Sequence, residues 1–278
     1  MTGIVWLASY PKSGNTWLRL FLTSLAAGGK PVDINRQDLF APQAYGRSFF
    51  AAALDVEASD LTQSEIEAVQ PYLCRQDVAE APLPLFRKTH DAWRTNAAGE
   101  PLFPAETTAA AIYIVRDPRD VAVSLAHHIG KETDWIIDFM ADPDAMLSQQ
   151  KHRLLLQMPV HLSSWSRHVE SWLDSPGLNF LRLRYEDMLA TPESTLAAAA
   201  RFAHLPVQPD SLAEALAACQ FETLRAQEDM NGFRERPPEM ERFFRRGKAG
   251  GWCDSLTPAQ AARIERDHGA VMARLGYS

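Results

Sequence analysis

The chain has 278 residues, and 28 Lys and Arg against 35 Asp and Glu give it a net charge of −7. Hydrophobic residues make up 46% and charged residues 23%, which is typical of a globular protein and argues against a mainly disordered chain. The acidic balance argues against a general nucleic-acid binder, whose affinity depends on neutralising phosphates. A small anionic ligand stays compatible with it, because a few local cations can dominate the potential of one pocket.

The three cysteines, Cys74, Cys219 and Cys253, have neither zinc-ligand spacing nor the pattern of a disulfide framework. This usage favours a reducing compartment. The first residues lack the basic and apolar segments of a secretory signal, and no apolar run is long enough to span a bilayer. We therefore expect a cytoplasmic protein with no integral membrane segment.

Four short apolar runs predict β-strands, at residues 4–8, 83–88, 111–115 and 179–184. Three amphipathic or capped segments predict helices after strands, at residues 16–25, 118–128 and 193–202. Strands that alternate with helices predict an α/β fold with a central parallel sheet and helices on both faces. We expect a single domain over residues 1–278.

The helix starts carry recognisable signals. Pro118 and Pro192 suit a first helical turn, with Thr191 as an N-cap. A last helix is expected to begin at Thr257, which forms a capping box with Gln260. Two stretches break the alternation, residues 28–60 and 226–252, and long irregular segments of this kind are typically functional loops or disordered.

The strongest functional signal is the loop between the first strand and the first helix, residues 10–17 (Tyr-Pro-Lys-Ser-Gly-Asn-Thr-Trp). A helix start presents backbone N–H groups and a dipole that favour a phosphate. Gly14 permits close approach, Lys12 adds a charge, and the side chains of Ser13, Asn15 and Thr16 add donors. The loop is no Walker A motif, because Lys12 precedes the glycine. A polar turn that merely caps a core helix is the alternative.

This loop resembles the 5′-phosphosulfate loop of sulfotransferases that use 3′-phosphoadenosine 5′-phosphosulfate (PAPS). Three further segments match that family in order: residues 113–124 resemble its 3′-phosphate motif, 185–187 its adenine contact, and 244–252 its C-terminal glycine-rich segment. The resemblance implies a P-loop-like α/β fold, PAPS as co-substrate and 3′,5′-bisphosphoadenosine (PAP) as product. The sequence has no acidic constellation that demands Mg²⁺, so we predict no metal.

The second motif also has a physical reading of its own. Arg116 follows a buried strand, where ligands bind in open parallel sheets, and its guanidinium suits bidentate contact with a phosphate. Ser124 lies eight residues further on and adds a hydroxyl donor. The resemblance assigns both residues to the 3′-phosphate. The alternative is a structural ion pair of Arg116 with Asp117 or Asp120.

The resemblance places the catalytic base in the Lys-Thr-His segment at residues 88–90. A neutral hydroxyl is a poor nucleophile, and the imidazole of His90 is matched to taking its proton. His127 and His128 are the fallback candidates. Lys12 and Lys88 would stabilise the charge that develops on the bridging oxygen.

The remaining candidate residues concern the nucleotide. By resemblance, Trp17 and Tyr185 would hold the adenine, which stacks well on an indole, and Thr223 matches another adenine-side position. The resemblance also assigns Arg245, Arg246 and Gly247 to the cofactor. Residues 234–248 hold six cationic and three acidic side chains, which leaves +3, and we expect the segment 226–252 to be a mobile loop that closes over the polyanion.

Departures from the family pattern limit what can be transferred. Gly251 stands where the family usually has Asp, and Cys253 where it often has Lys. Only Thr257 survives of the animal enzymes' dimer motif, so the oligomeric state stays open. Residues 91–93 replace the apolar-Pro pair that follows the base in animal enzymes, so acceptor specificity cannot be carried over. Expected pocket residues are the aromatics at 40–50, Trp93 and apolar residues within 129–162.

The sequence therefore predicts a sulfotransferase that moves a sulfuryl group from PAPS to a hydroxyl of a small-molecule acceptor, by in-line displacement with a histidine base. The acceptor itself, whether a phenol, sugar, lipid head group or natural product, is open. A P-loop nucleotide or small-molecule kinase that uses ATP and Mg²⁺ is the alternative enzyme, and a non-catalytic nucleotide-binding protein is a third possibility.

Overall fold

The first strand, β1 (Ile4–Ser9), consists of six residues that are all fully buried. Strand β2 (Leu85–Thr89) pairs with it in parallel, with Trp6 opposite Arg87 and Ala8 opposite Thr89. Strands β3 (Thr108–Val115) and β6 (Phe180–Arg184) complete a four-stranded sheet in the order β2-β1-β3-β6. A second, two-stranded antiparallel sheet consists of β4 (Met146–Leu147) and β5 (Val160–His161).

The computed structural model describes residues 2–36, 41–44, 46–56, 61–80, 82, 84–148, 158–175, 177–237 and 240–277. Its α-helices are α1 (Asn15–Ala26), α2 (Arg47–Leu54), α3 (Gln63–Glu80), α4 (Pro118–Ile129), α5 (Thr133–Ala141), α6 (Trp165–Leu173), α7 (Tyr185–Ala190), α8 (Pro192–Phe202), α9 (Pro209–Ala218), α10 (Phe221–Asn231) and α11 (Pro258–Arg274). Short 3₁₀ turns cover Ala105–Thr107 and Gly251–Asp254. None of the helices in these ranges is long and apolar enough to cross a membrane.

The chain divides into two compact units, each built from three separate stretches. The first unit comprises residues 1–10, 41–113 and 142–180. Its core is aromatic: the rings of Trp6 and Phe103 lie 4.9 Å apart, those of Phe103 and Trp172 lie 5.0 Å apart, and all three side chains are buried. Burial of such large rings is a major share of a unit's stability.

The second unit comprises residues 11–40, 114–141 and 181–278. Helix α1 packs on α9, and α4 packs on both α5 and α11. The apolar side of α1 explains its position, because Leu18, Phe21, Leu22 and Leu25 are buried and recur at helical spacing. Among the candidate residues, those assigned to the nucleotide all lie in this unit.

The fold class predicted from sequence, an α/β fold with a central parallel sheet flanked by helices, is confirmed. The predicted strands and helices recur with shifts of one to three residues at their ends. Thr257 and Gln260 form the predicted capping box, and Pro118 opens α4 behind an Asp117 side chain that accepts from Arg119 N.

Three local expectations differ from the structure. Thr191 is the residue before α8, yet its hydroxyl donates to the Asp187 carbonyl (3.2 Å) and makes no cap bond to α8. The irregular stretch 28–60 contains helix α2, and the start of the expected loop 226–252 belongs to helix α10 up to Asn231. In both stretches local helix formation prevails over the glycines and prolines nearby.

Candidate active site

The loop before α1 has two residues with a left-handed backbone conformation. Lys12 has a φ of 68° and Gly14 a φ of 106°, both in the left-handed region. Gly14 is the N-cap residue, and no side chain caps the helix there. The Ser13 hydroxyl oxygen is buried and has no hydrogen-bond partner among the described residues. A helix start that no side chain caps, together with an unsatisfied buried hydroxyl, suits an anionic ligand.

The Lys12 ammonium lies between two aromatic side chains of the same unit. Its Nζ is 3.4 Å from His128 Nδ1 and 4.0 Å from the centre of the Phe243 ring. The Phe243 face attracts the cation, and His128 can accept a hydrogen bond from it. His128, a fallback candidate for the base, is thus a neighbour of Lys12.

Arg116, which follows the end of β3, contacts three other segments of the chain. Its Nη1 donates to the Lys12 carbonyl (3.1 Å) and its Nη2 to the Lys248 carbonyl (3.0 Å). Its guanidinium lies over the Tyr185 ring at 4.3 Å. The Nε–H is buried without a partner among the described residues. Donors that remain unused on a nearly buried guanidinium fit a bound phosphate.

The structural ion pair weighed as an alternative for Arg116 exists in part. Its Nη2 lies 3.7 Å from the Asp120 carboxylate, which is a long contact. Asp117 is instead paired with Arg119, at 2.8 Å. The shorter bonds of Arg116 go to main-chain carbonyls, so the ion pair is a secondary contact.

Asp120 is a residue whose role the sequence analysis missed. One carboxylate oxygen accepts from Gly250 N (2.8 Å) and the other from Trp252 N (2.9 Å), so this buried side chain holds the C-terminal glycine-rich segment. Arg119 lies over the Trp252 ring at 4.1 Å. Asp120 stands inside the motif at 113–120, but its partners lie 130 residues away in sequence, and only a structure brings them together.

The cationic residues of that segment form a cluster. Burial, followed by the charges of Arg246 and Arg116, lowers the pKa of Arg245. Arg246 donates to the Gly251 carbonyl (3.2 Å) and to Ser255 (3.1 Å). Gly247 has a φ of 60°. Like charges held this close favour an anion among them.

The adenine-side candidates lie in the same unit with different exposures. The Trp17 indole N–H donates to the Cys219 carbonyl (3.0 Å), and its ring meets that of Tyr185 edge-on at 6.2 Å. Tyr185 is buried, and Ser124 is half-buried on α4. Thr223 is exposed in the first turn of α10.

His90 and Lys88 belong to the first unit, at and just beyond the end of β2. The His90 Nδ1 lies 2.7 Å from the Ser9 carbonyl oxygen and 3.3 Å from the Ser9 hydroxyl. A carbonyl can only accept, so Nδ1 carries the proton and the neutral ring keeps its lone pair on Nε2. His90 thus has the tautomer that a base acting through Nε2 requires. Lys88 is buried, and its backbone pairs with residues 42 and 44.

A small pocket of about 20 Å³ lies in the first unit, and its lining includes Thr89 and Asp91, the sequence neighbours of His90, but not His90 itself. Its lining mixes polar residues with apolar ones: Gln43, Gln70, Thr89 and Asp91 with Phe50, Ile66, Met158 and Val160. Burial raises the pKa of the Asp91 carboxyl to about 6. The Gln43 amide oxygen is buried without a partner among the described residues.

The expected acceptor aromatics have mixed outcomes. Phe50 lines the pocket, whereas Trp93 is not part of its lining. Trp135 is exposed on α5, in the second unit. Phe40, Tyr45 and residues 149–157 lie outside the described residues. Within the described ranges, no group of three or more His, Cys, Asp and Glu side chains lies close enough to hold a metal ion.

Comparison with known proteins identifies the class. A family model described as a sulfotransferase domain matches residues 3–276. The chain therefore belongs to the sulfotransferase family of enzymes.

Individual relatives are distant. Sulfotransferase 2B1 of Homo sapiens is 24% identical over 94% of this chain, which spans 64% of that relative's length. The 3-beta-hydroxysteroid sulfotransferase of Cavia porcellus is 25% identical over 97% of this chain and 83% of its own.

Solved structures show the same fold. A mouse sulfotransferase complexed with PAP is 20% identical, covers 97% of this chain and 84% of its own, and gives a TM-score of 0.63. A retinol dehydratase in a complex with retinol and PAP is 22% identical, with 97% and 81% covered and a TM-score of 0.62.

Replacing Gly14 with alanine is expected to weaken PAP binding and to lower the free energy of unfolding by about 1–3 kcal/mol. A Cβ at Gly14 would lie 2.7 Å from a Tyr185 ring carbon, on a backbone that disfavours L side chains. Calorimetric titration with PAP and thermal unfolding measure the two effects. Gly130→Ala is the matched control, since Gly130 has a φ of +70° and nothing within 4 Å of an added Cβ. Equal PAP affinity in both variants would contradict the prediction.

Proposed function

We propose that this protein is a PAPS-dependent sulfotransferase that acts on a hydroxyl of a small-molecule acceptor. The observation that carries the proposal is the loop at residues 10–17. The Lys12 carbonyl of this loop accepts a hydrogen bond from Arg116, and the Lys12 ammonium contacts His128, which also belongs to the second unit. The three other family-like segments follow this loop along the chain in the family's order.

The residues fit an adenosine nucleotide with two anionic ends. Lys12, the buried Ser13 hydroxyl and the N–H groups of α1 would bind the 5′-phosphosulfate. Arg116 has N–H donors that its bonds to the Lys12 and Lys248 carbonyls do not use, and these donors, with the Ser124 hydroxyl, would bind the 3′-phosphate. The rings of Trp17 and Tyr185 offer faces for the adenine. PAPS, when bound, supplies the sulfuryl group.

The chemistry assigned to the chain is proton removal and charge stabilisation. His90 Nε2 would take the proton of the acceptor hydroxyl, because its Nδ1 donates to Ser9. Lys12, with Lys88, would stabilise the negative charge that grows on the leaving 5′-phosphate. Positioning and electrostatics suffice for such a transfer, as they do in phosphoryl transfer.

The acceptor is assigned to the first unit, at the pocket whose lining includes Thr89 and Asp91 on either side of His90 in sequence. Phe50, Ile66 and Met158 give it apolar walls, and Gln43 with Asp91 gives it polar groups. This mixture suits a small organic molecule with an apolar body. The proposal includes a cytoplasmic location, in keeping with the three free cysteines.

Calorimetry and a transfer assay test the proposal together. PAP and ATP are titrated separately, each with and without Mg²⁺, and an acceptor library is then incubated with PAPS and screened for the mass increase of a sulfuryl group. We expect PAP to bind without metal and one acceptor class to gain the group. Preferred binding of ATP with Mg²⁺ would favour the kinase alternative, and PAP binding without transfer to any acceptor would favour a non-catalytic protein.

We further propose that the segment between α10 and α11 closes over the nucleotide, with Asp120 as its anchor. Asp120→Asn is expected to weaken PAP binding about tenfold or more. The two carboxylate oxygens accept from the N–H groups of Gly250 and Trp252, whereas the amide of asparagine has one oxygen and one NH₂ group. One of the two N–H groups would therefore meet a donor in place of a charged acceptor. Limited proteolysis within residues 240–252, with and without saturating PAP, measures closure directly.

The control for Asp120 is Asp210→Asn, an exposed carboxylate in the first turn of α9. Wild-type protein and the control should become resistant to protease when PAP is added, whereas Asp120→Asn should stay sensitive. Cleavage of wild-type protein at the same rate with and without PAP would show that the segment does not close.

A further inference from the structure

A chain of three hydrogen bonds passes through His90 in the first unit. His90 Nδ1 donates to the Ser9 carbonyl (2.7 Å), and the His90 carbonyl accepts from His168 Nε2 (3.0 Å). The Tyr113 hydroxyl lies 2.8 Å from His168 Nδ1. We refer to Ser9, His90, His168 and Tyr113 as the hydrogen-bond circuit.

The circuit joins four elements of the first unit. Ser9 is the last residue of β1, His90 follows the last residue of β2, Tyr113 lies on β3 and His168 lies on α6. The side-chain bonds of His168 connect α6 both to β3 and to the residue that follows β2.

The direction of every proton in the circuit is fixed. A main-chain carbonyl cannot donate, so His168 Nε2 carries a proton toward His90. Its Nδ1 is then the acceptor for the Tyr113 hydroxyl, provided that His168 is neutral. Burial lowers the pKa of His168 to about 4, and burial raises the pKa of Tyr113 well above 10. Both groups are therefore uncharged near neutral pH.

The circuit is buried except at His90. Ser9, Tyr113 and His168 have no exposed surface. Among the four residues, His90 alone is partly exposed, and it lies one residue beyond the end of β2. A buried histidine with both ring nitrogens bonded is held in a single orientation, since any rotation would leave polar atoms unpaired at a cost.

We propose that His168 is a positioning residue for His90. It holds the His90 main chain where Nδ1 meets the Ser9 carbonyl, and it thereby maintains the tautomer whose proton is on Nδ1. The functional meaning of this role rests on the proposed base function of His90, while the tautomer itself is a property of the folded protein. The Tyr113 hydroxyl sets the tautomer of His168 in turn.

His168→Phe tests the proposal, since it keeps an aromatic ring and removes both hydrogen bonds. Nitrogen-15 NMR of labelled histidine in the unliganded protein reports which His90 nitrogen carries the proton. We expect wild-type protein to show the Nδ1–H tautomer and His168→Phe to show a mixture of both tautomers. In the transfer assay the kcat of this variant should fall about tenfold to a hundredfold, with KM for PAPS unchanged.

The control is Val169→Ala on the same helix, which removes buried apolar volume without touching the circuit. It should lower the melting temperature and leave the His90 tautomer as in wild type. If His168→Phe does not fold, Tyr113→Phe replaces it, with a smaller change in the same direction expected. An unchanged His90 tautomer in the folded variant would overturn the proposal. Because this readout needs neither PAPS nor acceptor, it remains decisive even if the protein transfers no sulfuryl group.

Discussion

Replacing His90 with alanine is expected to lower kcat for sulfuryl transfer by about 10²–10⁴-fold without changing the dissociation constant for PAP. The imidazole is assigned the proton of the acceptor hydroxyl, and alanine has no lone pair that could take this proton. PAP binding should persist, because the residues assigned to the nucleotide belong to the second unit while His90 belongs to the first. Initial rates with the acceptor found by mass shift, and calorimetry with PAP, measure the two quantities.

His127→Ala is the informative comparison for His90. His127 is an exposed residue of α4, and burial together with the charges of Arg245 and Arg246 lowers its pKa. Full activity is expected in this variant. If activity were instead lost there and retained in His90→Ala, the base role would belong to His127 and the reading of residues 88–90 would be wrong.

The parts of the fold predicted from sequence are those with strong local signals. Residues 4–8 form an uninterrupted apolar strand, Pro118 opens a helix, and Thr257 with Gln260 forms a capping box, all as local chemistry dictates. Helix α3 was not predicted, because its buried residues include Gln70 and Asp77 and it contains Pro71, so it shows no clean apolar stripe. Its position is determined by tertiary contacts that no local pattern displays.

The candidate site likewise contains residues that the sequence predicts and residues that only the structure reveals. The loop at 10–17 and Arg116 stand out because their residue types and spacing already suit a phosphate. Asp120 and His168 do not, since their partners lie far away in sequence: Gly250 for the first, and the main chain of His90 for the second. A buried carboxylate or histidine acquires such a role from long-range contacts, which the sequence alone does not supply.

Replacing Arg116 with lysine is expected to raise the dissociation constant for PAP by about 10- to 100-fold, as the loss of charge-assisted hydrogen bonds to a phosphate implies. A guanidinium has five N–H donors, and two of them serve the Lys12 and Lys248 carbonyls. Three remain, including the buried Nε–H. Lysine keeps the charge but lacks the planar fork, so it cannot bind two carbonyls and a phosphate at once.

The test must separate phosphate binding from the structural contacts of Arg116, and 5′-AMP makes this possible because it lacks the 3′-phosphate. Wild-type protein and Arg116→Lys are each titrated with PAP and with 5′-AMP, and the exposed Arg182→Lys on β6 serves as control. If Arg116 binds the 3′-phosphate, the substitution weakens PAP far more than 5′-AMP, and the control changes neither. An equal loss of affinity for both nucleotides would mean that Arg116 acts only through its hydrogen bonds to the Lys12 and Lys248 carbonyls, as a residue that stabilises the structure of the loop.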